Sequence, residues 1–163
     1  MSADTSMSKL KQIVGFVVSL MIVFGIATLG GFFTNLSVDT WYLALAKPSW
    51  TPSGATIGIV WTILYTLMGI AAWMVWRGGP GIPQGPVVLY AVQLFLNVGW
   101  SALFFGLRSP GWAFFEIGVL WTAILATATA FWTVSKPAGL LMAPYLIWVS
   151  FAGVLNAMIW LLN

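Results

Sequence analysis

Five apolar runs fill most of this chain, and the segments outside them collect all but one of its charges and most of its prolines. Lipid offers no partner to an open backbone amide, so a segment that crosses the hydrocarbon must be a helix of about 20 mostly apolar residues. The runs fall at 13–33, 54–76, 87–106, 111–132 and 138–162. The predicted fold class is therefore all-α, an integral membrane bundle of five transmembrane helices forming one domain over residues 1–163. Composition agrees. Charged residues make up 6% of the chain and hydrophobic ones 61%, against roughly 25% and 45–50% in an ordinary soluble domain.

The gaps read as helix breaks. Residues 34–53 form a long, polar, proline-marked loop, and RGGPGIPQGP at 77–86 combines glycines and prolines that no helix would cross. Lys9 and Lys11 precede the first run as they would in a secretory signal. A signal's apolar core ends after about 7–15 residues, whereas this run continues to Phe33, so it is read as a span. Five spans put the two ends of the bundle's path on opposite sides and argue against two equal inverted halves. Lys9, Lys11, Arg77 and Lys136 fall on one side, Lys47 and Arg108 on the other. That bias predicts an N-terminus in the cytoplasm and the 34–53 loop outside; the expected location is a bacterial membrane.

The net charge of +3 reflects these flanks; no clustered basic face points to nucleic acid. With no cysteine and no histidine, disulfides, thiolate metal sites, cysteine catalysis and histidine-held heme are excluded. No nucleophile and base constellation is present, so hydrolysis or group transfer has no machinery. No metal and no obligatory cofactor is expected.

Eleven tryptophans are unusual for 163 residues, and helical rise gives their depth. At ~1.5 Å per residue, Trp61 lies about 10 Å below the loop end of the second span, with Trp100 and Asn97 about 9 and 14 Å below that of the third. Glu116 is about 8 Å into the fourth span and Asn156 about 9 Å below the loop end of the fifth. All five share one half of the membrane, beneath the long loop. Polar groups at that depth must face protein or a wet cavity, which predicts an interior pocket. Trp61 and Tyr65 share a helix face, Trp148 is placed to close the floor, and Pro144 frees one carbonyl in the fifth span.

Plainer readings stand beside this one. Trp41, Trp76, Trp112, Trp132 and Trp160 fit an interfacial belt. Trp61, Trp100, Trp121 and Trp148 are too deep for a belt, but interhelical packing accounts for them as well as ligand stacking does. Asn97 and Asn156 suit interhelical hydrogen bonds or ligand contacts. Glu116 pairs with Arg108 or an indole N–H, or is functional, as an acid inside a membrane is by default. Ala102 and Gly106, with Gly99 nearby, let backbones approach, in a homodimer through the third span or within one bundle.

The segment WYLALAKPSWTPS at 41–53 resembles the signature loop of the tryptophan-rich sensory protein and translocator protein family (TspO/MBR, peripheral benzodiazepine receptor). VWTILYTLMG at 60–69, QLFLNVGWSALFFGLRSPGWA at 93–113 and PYLIWVSFAGVLN at 144–156 resemble the family's later blocks in order and spacing. The resemblance implies a five-helix bundle, usually dimeric, that binds porphyrins and, in many members, sterols and synthetic isoquinoline or benzodiazepine-type ligands in a pocket lidded by the first loop. Carried over residue by residue, the ligand-binding positions are Trp50, Ile57, Trp61, Tyr65, Asn97, Trp100, Trp112, Glu116, Trp148, Ala152 and Leu155. Some bacterial members degrade protoporphyrin in light, which implicates Trp61 and Trp148 as catalytic. Two departures limit the transfer. The sterol pattern's tyrosine and basic residue are missing from NAMIWLLN at 156–163, and Ser53 replaces the loop's second proline, which should loosen the entry to the second span.

The function this implies is a membrane receptor or sensor for porphyrins, protoporphyrin or heme held without histidine, and for other hydrophobic ligands. Propionates would meet Lys47 or indole N–H groups at the rim. A small-molecule transporter or proton-coupled exporter built on Glu116 is the alternative; a sensor that acts only through a partner protein is a third.

Overall fold

The computed structural model describes residues 8–78 and 83–163. Within them the chain is helical without strands: α1 Lys9–Asn35, α2 Trp41–Ala44, α3 Gly54–Arg77, α4 Gln84–Ser101 continued by a π-helical segment Ala102–Gly106, α5 Pro110–Val134, α6 Lys136–Leu141 and α7 Ala143–Leu162. Five stretches are long and apolar enough to cross a membrane: Lys9–Asn35, Gly54–Arg77, Gln84–Gly106, Pro110–Val134 and Lys136–Leu162.

The boundaries differ from the sequence reading where polar residues support extra turns. α1 begins at Lys9, earlier than position 13, because the Ser8 hydroxyl accepts from the Lys11 N–H at 3.3 Å and caps the helix. α4 begins at Gln84, so Pro86, placed in the break, lies in its first turn, where a missing N–H costs nothing. Positions 79–82 of that break lie outside the described residues. The fifth span is interrupted at Met142, so Pro144 sits at the start of α7, not in the middle of an unbroken helix. The loop carries its own short helix, α2. Ser53 tightens the entry to α3 rather than loosening it, since its hydroxyl accepts from the Thr56 N–H at 3.1 Å, a bond that proline could not make.

The core is largely apolar but takes in several polar side chains, while the outer surface carries large apolar ones. Gln93, Asn97, Thr127 and Asn156 are buried, while Ile13, Val17, Val88, Phe95 and Ile147 are exposed. Only a hydrocarbon solvent makes that arrangement favourable. Small residues bring the helices close. Trp76, read as a belt residue, lies against Gly15 of α1, and a Cβ at Gly139 of α6 would stand 2.9 Å from both the Ala128 carbonyl oxygen and the Trp132 Cα of α5. Glycines in the third span are engaged within the chain as well: Gly106 faces Phe33 of α1 and Gly99 faces Glu116 of α5.

Candidate functional site: an aromatic cavity beneath the long loop

On α4, Tyr90, Gln93 and Asn97 are spaced to share one inward face, and all three are buried. Asn97 is the hub. The Tyr65 hydroxyl of α3 donates to its Oδ1, and its Nδ2 donates to the Tyr145 hydroxyl of α7 at 2.8 Å. Three helices are thereby joined by one amide. Asn156 of α7 does the same nearer the loop, accepting from the Trp100 indole N–H at 3.0 Å and donating to the Pro110 carbonyl at 2.7 Å.

Above the first hub opens a cavity of about 420 Å³, within the ~300–1,000 Å³ usual for small-molecule sites. Ile57, Trp61, Tyr65, Asn97, Trp100, Trp148, Ala152 and Leu155 all line it, as does Asn156. Its aromatic walls are built in pairs. Trp61 lies 5.4 Å from Tyr65 and 5.9 Å from Tyr145, Trp148 lies 5.3 Å from Phe151, and Trp100 stacks on Phe104 at 5.0 Å between ring centroids. Tyr65 pairs with Asn97 and Trp100 with Asn156, which leaves apolar ring faces for a guest. Among the described residues the Trp148 N–H is buried without a partner.

Three of the carried-over positions stand elsewhere. Trp50 packs edge-on against the wall residue Phe151 at 5.6 Å from the covering loop. Trp112 is 70% exposed and belongs to a separate groove. Glu116 is turned toward Gly99 of α4, and neither carboxylate oxygen has a hydrogen-bond partner; it meets neither Arg108 nor an indole N–H.

Sequence reasoning missed the α1 wall, where Phe24, Ala27, Gly30 and Gly31 border the cavity. The adjacent glycines at 30 and 31 were the available signal, since they thin the helix where a guest could approach. Tyr145 and Phe151 were also missed.

The loop is fixed from three sides. The Ser37 hydroxyl donates to the Phe105 carbonyl at 2.7 Å, in the π-helical segment. Lys47, expected to face propionates, instead directs its ammonium to the carbonyls of Tyr42, Leu43 and Leu45 at 2.6, 3.3 and 2.9 Å and lies over the Tyr42 ring. Burial there pushes the Tyr42 phenol above its ordinary pKa. Asn163, just past α7, accepts from the Ala46 N–H and donates to the Ala46 carbonyl, both at 3.0 Å. Among the described residues no cluster of histidine, cysteine or acidic side chains could hold a metal ion.

Comparison with known proteins covers almost the same span as this architecture. The model of the TspO/MBR family matches residues 17–161. The chain is 43% identical over 157 residues to the tryptophan-rich protein TspO of Chlorobaculum tepidum, covering 94% of this chain and 98% of that protein. It is 40% identical over 142 residues to the translocator protein of Sus scrofa, with 83% and 84% covered. With the tryptophan-rich sensory protein of Cereibacter sphaeroides it shares 38% over 122 residues, 74% and 75% of the two chains. A family match over most of the chain, relatives near 40% identity and five apolar helices point the same way: this integral membrane protein belongs to the TspO/MBR family.

Proposed function

We propose that the chain is a membrane receptor that takes a porphyrin, protoporphyrin IX or heme without histidine ligation, and other flat hydrophobic ligands, in the cavity under the loop. The observation that carries this reading is the wall of tryptophan and tyrosine rings around about 420 Å³. A planar macrocycle gains from such faces both burial and stacking. Ile57, Trp61, Tyr65, Trp100, Ala152 and Leu155 supply the contact surface, Trp50 covers it from the loop, and the Trp61 and Trp148 indole N–H groups are the donors for a guest's carboxylate or carbonyl. Asn97 holds the floor. The N-terminus lies in the cytoplasm and the loop outside. A homodimer would form through the exposed third-span face of Val88, Val92 and Phe95, because Gly99 and Gly106 are engaged within the chain.

Titration of the purified protein with protoporphyrin IX, followed by tryptophan quenching and porphyrin absorbance, tests the binding. Saturable quenching is expected; its absence removes the proposal. Where light drives porphyrin loss with dioxygen as oxidant, Trp61 and Trp148 supply the reactive rings. The double substitution Trp61→Phe with Trp148→Phe is expected to abolish that loss. Binding should weaken by less than about tenfold, since phenylalanine keeps most of the stacking. Unchanged photochemical loss in the double variant would refute the role.

A further inference from the structure

A second concavity, independent of the aromatic cavity and of any reading of its ligand, opens on the loop side as a groove of about 670 Å³. It runs between α2, the turn at Arg108, the start of α5 and the end of α7. Trp41, Trp112, Phe115 and Trp160 form its apolar walls, Asn163 borders it, and Arg108 brings the one charged side chain among the described residues that line it. Trp112 is 70% exposed, Phe115 61% and Trp160 42%, and the Trp160 indole nitrogen lies over Gly111, where a Cβ would stand 3.0 Å from it.

Arg108 is unusual in two ways. Among the described residues it is the one non-glycine position with left-handed backbone, φ 52°, a conformation that crowds any side chain and that glycine adopts freely. The turn is fixed on either side by the Leu107 N–H on the Ala102 carbonyl at 2.8 Å and the Ser109 N–H on the Leu103 carbonyl at 3.0 Å. Its guanidinium also has no acceptor among the described residues. By contrast Lys47 is held by three carbonyls and Arg77 lies over the Trp73 ring at 4.4 Å.

We propose that this groove binds an anionic phospholipid of the leaflet on the loop side, with its phosphodiester on Arg108 and the first acyl methylenes along Trp112, Phe115 and Trp160. The groove sits where three spans end, which is headgroup depth, and interfacial indoles belong there. Guanidinium meets phosphate through two parallel hydrogen bonds. No aspartate or glutamate side chain among the described residues lines the groove, so Arg108 favours a headgroup of net negative charge, whereas a choline would place a second cation beside it. A second copy of the chain fits poorly, because a twofold contact centred here would bring two Arg108 side chains together.

Thermal unfolding of delipidated protein in detergent, titrated with dioleoylphosphatidylglycerol, dioleoylphosphatidylcholine or glycerol 3-phosphate, tests this. Phosphatidylglycerol is expected to raise the melting temperature with an apparent affinity about fivefold above phosphatidylcholine, the effect of one basic side chain near a lipid surface. Glycerol 3-phosphate should do little, lacking the chain. Arg108→Gly suits the left-handed turn, so the lipid-free protein should melt no lower than wild type, yet lose the preference. Equal shifts by both lipids, or a preference retained in Arg108→Gly, overturns the proposal. A full shift by glycerol 3-phosphate would reassign the groove to free phosphate esters and overturn the lipid. The chain has no cysteine, so disulfide crosslinking of Trp112→Cys in vesicles tests the remaining occupant: near-complete dimer would give the groove to a second copy.

Discussion

One amide, Asn97, ties Tyr65 and Tyr145 together at the floor of the cavity. Replacing it with alanine leaves two buried hydroxyls to find new partners, so Asn97→Ala is expected to destabilise the bundle by about 1–3 kcal/mol, measured by thermal unfolding in micelles. An unchanged transition would show that the two phenols repair each other. Positions such as this were legible because a polar group at that depth has few alternatives. Direction around a helix was not. Rise per residue gives height, whereas the inward stripe of α5 is Ala113, Ile117, Leu120, Ile124, Thr127 and Phe131. Trp112 and Glu116 each precede a member of that stripe by one residue, about 100° around the axis, and so reach the right level while facing elsewhere.

At the level of elements, spans were readable because the hydrocarbon requires a minimum length of apolar helix. Breaks inside them were not. The fifth span is parted at Met142, and the third ends in a π-helical turn, Ala102–Gly106, where a backbone carbonyl finds a partner that only the folded chain provides. The Phe105 carbonyl accepts from the Ser37 hydroxyl, 68 residues away. Close packing of α6 on α5 at Gly139 makes a sharper prediction. A methyl group there meets backbone atoms that cannot turn aside, so Gly139→Ala should lower stability by about 1–3 kcal/mol. Gly118→Ala, where a Cβ meets open space, is the matched control and should be neutral or slightly stabilising. Equal melting temperatures for the two variants would contradict the tight α5–α6 contact.

Across the whole molecule, the apolar outer surface follows from composition, and the bundle was foreseeable from it. The clasp between the loop and the end of α7 was not, since nothing local to Ala46 or Asn163 marks a contact spanning 117 residues. Two exposed hydrogen bonds hold it, each contributing about 0.5–1.5 kcal/mol at most. Asn163→Ala is expected to leave the melting temperature near that of wild type and to speed ligand exchange several-fold, as read by stopped-flow tryptophan quenching. Identical exchange rates would mean the loop opens elsewhere. The clasp also bears on how the protein should be instrumented. A fluorophore or purification tag joined after Asn163 would crowd the clasp and disturb the loop it is meant to report on. The same appendage at the start of α1 would stand about 40 Å away across the bilayer, where it leaves the clasp undisturbed.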